Sequence, residues 1–218
     1  GTSHKFVSQE AAKYLGKKPE ELKIVTCHLG NGSSITAVDG GKCVDTSMGF
    51  TPLAGVLMGT RSGDIDASAV EFLARKKGMS HADIVTYLNK SCGVMGISGV
   101  SSDFRDLIAG SEAGNGRCTL ALDMFSYQTK RFVGAYAAVM GGLDCIVFTA
   151  GIGENTPVVR EGVCEGLEFL GVKLDKEKNN QGNNGSIRDI SAEDSRVKIL
   201  VIPTNEELVI ARETAELL

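Results

Sequence analysis

Between residues 22 and 45 the chain fits three strand-like segments into one short span, and this spacing constrains the fold more than any other feature. The segments cover 22–29, 34–38 and 42–45, with Gly30-Asn31-Gly32 and Asp39-Gly40-Gly41 between them. Neither connection has room for a helical crossover. Glycine-rich turns of this length join antiparallel neighbours, so the chain opens its sheet with a three-strand meander.

Helical periodicity surrounds the meander. A first helix is expected over 3–15, ending at Gly16. Further helices are expected over 66–77, 81–90 and 103–109, and a long one over 117–140 stops at Gly141-Gly142. In the long helix Phe125, Phe132 and Tyr136 carry apolar surface beyond one face, which fits a covered core helix or a subunit contact. An apolar strand follows over 144–151, then a helix over 157–169, a second buried strand over 197–205 and a last helix over 206–217. The polar stretch 175–189 reads as an exposed loop with hairpin character. Adding two right-handed crossovers to the meander predicts one α/β domain: a mixed five-stranded sheet in βββαβαβα order, with helices on both faces.

Composition excludes some partners. Net charge is −4, so there is no general basic surface for nucleic acid, and any anion site must be local. No apolar run approaches the roughly 20 residues that cross a bilayer, so no membrane partner is expected. The six cysteines form no CxxC pair and mostly lie in apolar runs, which predicts buried free thiols and a cytoplasmic protein. The chain opens on glycine, as a fragment or processed product would.

Five stretches could carry chemistry. CHLGNGSS, 27–34, is either a plain hairpin or a turn whose glycines let backbone donors approach a phosphate. FTAGIGEN, 148–155, ends a buried strand, where open α/β sheets bind ligands, but lacks the third glycine of a dinucleotide fingerprint. Arg61 stands between glycines in MGTRSGD, where its planar fork suits a carboxylate or a phosphoryl group, or a surface ion pair. Its loop, 47–64, is apolar and too long for a simple connector. In SSDFRD, Asp103 fits a helix cap, and Asp103 with Arg105 could also contact a nucleoside. In VIPTNEEL, Glu206 and Glu207 suit either a helix N-terminus or Mg²⁺. No histidine spacing suits a metal, and no GxSxG elbow is present.

Taken in order, GTSHK, CHLGNGSSITAV, GKCVDTSMGFTPLAGVLMGTRSGDID, SGVSSDFRD, FTAGIGEN and IPTNEELVIARET resemble the acetate kinase family. The resemblance spans the whole chain but only the C-terminal half of the family's proteins. It implies an actin-like, ribonuclease H-like ATPase domain with ATP/ADP and Mg²⁺ as cofactors. His28, Leu29, Gly30, Asn31 and Gly32 would form the phosphate hairpin. Asp103, Phe104 and Arg105, with Gly151, Ile152, Gly153, Glu154 and Asn155, would hold adenosine. Glu206 would place Mg²⁺, Arg61 would be catalytic and orient the substrate carboxylate, and Pro52 would line the methyl pocket. The implied reaction is reversible transfer between ATP and acetate, giving acetyl phosphate; propionate or butyrate would be the near alternatives. A non-catalytic nucleotide-binding or dimerisation module is the alternative of another class. The resemblance also implies a homodimer and an absent N-terminal domain bearing an arginine, an asparagine and an aspartate of the site. The isolated chain is therefore expected to be inactive.

Overall fold

The structure, a computed structural model, describes residues 1–216. Its sheet contains β1 (Lys23–Leu29), β2 (Ser33–Asp39), β3 (Lys42–Thr46), β4 (Cys145–Thr149), β5 (Arg188–Asp189) and β6 (Lys198–Val201). The spatial order is β3-β2-β1-β4-β6-β5. β1, β2 and β3 form the antiparallel meander, and β4 and β6 extend β1 in parallel. This is the expected mixed α/β sheet, with one difference. A sixth strand, β5, pairs antiparallel with the outer edge of β6. It is too short, within a polar stretch, to give an apolar alternation.

The helices are α1 (Thr2–Tyr14), α2 (Ala67–Lys77), α3 (His81–Lys90), α4 (Gly93–Ser98), α5 (Phe104–Glu112), α6 (Gly116–Val139), α7 (Ala150–Asn155), α8 (Pro157–Cys164), α9 (Lys176–Asn180) and α10 (Glu206–Glu216). Local chemistry sets several of their ends. Asp66 accepts from Ser68 N, Asn115 from Arg117 N and Cys118 N, and Ser80 forms a reciprocal capping box with Asp83. The expected helix over 157–169 is cut short at Cys164, because Gly166 takes φ +78° and a 3₁₀ turn follows at Glu168–Leu170. Three short helices were not expected: α4, α7 and α9. The expected end of the last helix at Leu217 lies outside the described residues.

Strand alternation splits the core in two. Val25, Cys27, Leu29, Ile146, Phe148 and Ile199 face a large cluster built with α6 and α8. Leu22, Ile24, Cys145, Val147 and Leu200 face α1 through Val7 and Ala11. The helices thus cover both faces, as the sequence predicts. Phe125 is fully buried, Tyr136 is 3% exposed, and Phe132 packs against the same cluster, so α6 is the covered core helix at these residues. The large apolar residues α6 exposes are Leu120, Tyr127 and Val139. Cys27, Cys118, Cys145 and Cys164 are buried, whereas Cys92 is half-buried and Cys43 exposed, so the expectation of buried thiols holds for only four of the six. Burial pushes the Cys164 thiol up to about 12 and raises Cys27 well above its ordinary value.

Candidate active site

The turn between β1 and β2 closes on itself. Gly30 N donates to Gly32 O at 3.1 Å, and Ser33 Oγ donates to Gly30 O at 2.9 Å. It is therefore a true hairpin, and its outer side is free of Cβ atoms at two positions. Leu29, in contrast, buries its side chain in the core, so only its backbone can serve a ligand. The long loop 47–64 folds over this turn. Gly59 N donates to Asn31 O at 3.1 Å, and a Cβ on Gly59 would stand 1.8 Å from Asn31 Oδ1. A Cβ on Gly32 would come within 3.2 Å of Arg61 Nη1, so the guanidinium lies directly over the turn.

Arg61 is half-buried and donates from Nη1 to Pro52 O at 3.4 Å and to Met58 Sδ at 3.6 Å. No ion pair involves it among the described residues, so the ion-pair alternative is not what this side chain adopts. Its loop is fixed from the far side by α3 and α4. Val94 N donates to Met58 O, Met95 N to Gly59 O, Cys92 N to Thr60 O and Ser62 N to Leu88 O, all at 2.9–3.0 Å. Pro52 is exposed at the outer end of the loop.

Beside the turn lies a cavity of ≈ 580 Å³, lined by Gly30, Asn31, Asp103, Phe104, Arg105, Ile108, Gly151, Ile152 and Asn155 among others. Three stretches far apart in sequence thus meet around one space. Asp103 does cap α5, accepting from Arg105 N at 2.9 Å, while its carboxylate also holds the Arg105 side chain. Those hydrogen bonds keep the Asp103 carboxyl down at about 2. Phe104 is mostly buried, its ring edge-on to Phe125 at 4.8 Å. Two of the residues expected to hold adenosine do not line the cavity. Gly153 faces the core near Phe148 and Cys27, and Glu154 turns its carboxylate to Thr204 N at 3.2 Å and Asn183 Nδ2 at 3.3 Å. A larger cavity of ≈ 720 Å³ near His4, Ser34, Lys42 and Cys43 contains none of the predicted residues.

His28 lies at the carboxyl end of β1 and shares a hydrogen bond from Nδ1 with Ser3 Oγ at 2.8 Å; Ser3 Oγ also meets Thr204 Oγ1 at 2.9 Å. Burial lowers the His28 pKa, against the opposing pull of Glu206 and Glu154. Glu206 itself is exposed at the start of α10. Among the described residues no group of three or more His, Cys, Asp or Glu could hold a metal ion. Ser3 and Thr204 belong to this end of the sheet without having been singled out in the sequence, where hydroxyls at a helix start and a strand end read as caps.

The neighbouring His4 is tied at both ring nitrogens, Nδ1 to Thr26 Oγ1 at 2.7 Å and Nε2 to Ser34 Oγ at 2.8 Å. Burial, reinforced by the His28 ring, lowers its pKa from 6.5 to about 4. The folded state therefore keeps His4 neutral where the unfolded chain would protonate it. Stability from this site is complete above the unfolded value and falls as pH drops toward the folded one. Between pH 7 and 4.5 the wild type is expected to lose on the order of 2–3 kcal/mol that His4→Gln does not lose. Urea unfolding of both proteins at the two pH values checks this. Parallel losses would remove His4 as the cause.

The comparisons with known proteins agree with one another. The model of the acetokinase family matches residues 1–212. An acetate kinase from Caldanaerobacter subterraneus subsp. tengcongensis is 62% identical over 218 residues, all of this chain and 54% of that protein. The crystal structure of Porphyromonas gingivalis acetate kinase superposes with a TM-score of 0.96 at 46% identity, covering 99% of this chain and 54% of the other. A propionate kinase from Francisella tularensis subsp. tularensis gives a TM-score of 0.89 at 43% identity, covering 98% of this chain and 53% of the other. The chain spans about half the length of the relatives it matches.

Proposed function

The chain belongs to the acetokinase family, and on that premise we propose that it is the C-terminal, nucleotide-binding half of an acetate kinase. In this reading the ≈ 580 Å³ cavity takes adenosine between the 103–105 segment and α7, and the turn at Gly30–Gly32 takes the phosphates. The observation that carries the proposal is the Arg61 guanidinium, without an ion pair among the described residues, lying over Gly32, where it would meet the far end of a nucleotide seated in that cavity.

The chemistry needs little beyond positioning and charge. A carboxylate oxygen of acetate attacks the terminal phosphorus of ATP, the bond to the bridging oxygen breaks, and acetyl phosphate and ADP result; the reverse follows the same path. Arg61 would orient the acetate carboxylate and meet the charge on the transferring group. Mg²⁺ would neutralise the phosphate oxygens. Glu206 suits it, because Mg²⁺ needs only one or two carboxylates beside water and phosphate, so no three-residue cluster is required. Pro52, at the outer end of the Arg61 loop, would border the acyl methyl group. The remainder of the protein would complete the site, leaving this chain inactive alone. A cytoplasmic homodimer completes the proposal.

Two measurements test it. The chain alone should bind ADP by calorimetry yet form no acetyl phosphate, and failure to bind ADP would remove the nucleotide assignment. The full-length protein should use acetate with a higher kcat/KM than propionate or butyrate. A preference for either longer acid would replace acetate as the substrate.

A further inference from the structure

The polar stretch 175–189 hides a fully buried side chain, Asn179, at the end of α9. Its partner is Arg160 of α8, also fully buried and without an ion pair among the described residues. Arg160 Nε donates to Asn179 Oδ1 at 2.7 Å and Nη2 donates to Asn179 O at 2.8 Å. From the other edge of the fork, Nη1 donates to Gly153 O at 2.8 Å and Glu154 O at 3.0 Å. Asn179 Nδ2 donates in turn to Pro157 O at 3.0 Å. Arg188 of β5 adds a longer contact, Nη2 to Glu154 O at 3.4 Å.

The carbonyls that receive these donors end α7. A six-residue helix starting at Ala150 in the left-handed region, with φ +65°, and containing two glycines has little stability of its own. Its last carbonyls need outside donors, and a cation there also meets the negative end of the helix dipole. Burial lowers the Arg160 pKa to about 10, which leaves the guanidinium charged at neutral pH. The opposite wall of α7, at Gly151, Ile152 and Asn155, lines the ≈ 580 Å³ cavity. A single rigid link thus runs from the 175–189 stretch to the cavity wall.

We propose that Asn179 is a positioning residue for the nucleotide: through Arg160 it holds the C-terminal carbonyls of α7 and so sets the wall against which the nucleoside packs. This rests on the nucleotide reading given above. Other stretches of this chain approach a nucleotide directly; Asn179 acts on it only through Arg160 and α7.

The test uses the full-length protein, with ADP as probe. Asn179→Ala is expected to weaken ADP binding and raise KM for ATP by roughly tenfold, with kcat at saturating ATP within about twofold of wild type. Asn179→Asp keeps an oxygen for Arg160 Nε and should restore most of the affinity. Val197→Ala, in the core away from α7, is the control for stability alone and should leave ADP affinity unchanged at a similar loss in Tm. If Asn179→Ala does not fold, Asn179→Ser replaces it, removing the amide oxygen that meets Arg160 Nε, with an expected loss of a few-fold in ADP affinity. Wild-type protein that binds no ADP would overturn the nucleotide reading and this inference together. Wild-type binding with no selective loss in Asn179→Ala, or in its replacement, overturns this inference alone.

Discussion

Arg61→Ala lowers turnover by roughly a hundredfold to a thousandfold, the loss found when one preorganised donor to developing charge is removed. Nucleotide affinity should stay nearly unchanged, because the cavity that would take the nucleoside is lined by other segments. Two features lead to the expectation of a loss in turnover and not in stability. Among the described residues its side-chain hydrogen bonds are the long ones to Pro52 O and Met58 Sδ, so truncation strands no buried partner there. The loop around it is fixed by backbone bonds from α3 and α4 that do not involve its side chain. Arg61→Lys retains the charge but loses the planar fork and should recover little activity. The check is acetyl phosphate formation by both variants in the full-length protein, beside ADP affinity and Tm. Near-normal turnover of Arg61→Ala would end the catalytic assignment, and so would a defect explained wholly by loss of folded protein.

Much of this was legible in the sequence because short-range signals carried it. Glycine turns fixed the meander, and unbroken apolar runs marked β4 and β6. A cap at Asp103 marked the start of α5. The candidate site was legible as separate stretches, since each lies at a strand end or a helix start. What stayed hidden depends on contacts between distant positions. α7 contains two glycines, which lower helix propensity, and two of its last carbonyls are held by Arg160. Asn179 sits among lysines and asparagines that read as solvated, although the fold buries it completely. Leu29, Gly153 and Glu154 belong to segments that meet at the cavity, but strand alternation buries the Leu29 side chain, and helix phase turns Gly153 toward the core and the Glu154 carboxylate toward Thr204. Motif membership identifies a segment; side-chain direction requires the packed structure.

Gly93 gave no signal in the sequence, yet its substitution should produce the largest loss of stability. It takes φ +63° at the start of α4, and a Cβ there would stand 2.2 Å from Met58 O and 2.9 Å from Arg61 O and Gly59 C. These are backbone atoms of the Arg61 loop and cannot rotate aside. The three bonds from Cys92, Val94 and Met95 to Thr60, Met58 and Gly59 depend on the same close approach. Gly78 supplies the control: it has the same φ of +63°, at the end of α2, with nothing within 4 Å of its would-be Cβ. Gly78→Ala should therefore cost only the left-handed strain, about 1–2 kcal/mol. Gly93→Ala adds the clash and should cost about 3–5 kcal/mol, a fall of roughly 10 °C in Tm for a chain of this size. The surviving folded protein should also lose turnover, because relief of the clash moves the backbone that carries Arg61. Thermal unfolding of both variants, with turnover measured well below Tm, separates strain from contact. Equal losses in the two would show that α4 yields freely, and the loop holding Arg61 would then not depend on Gly93.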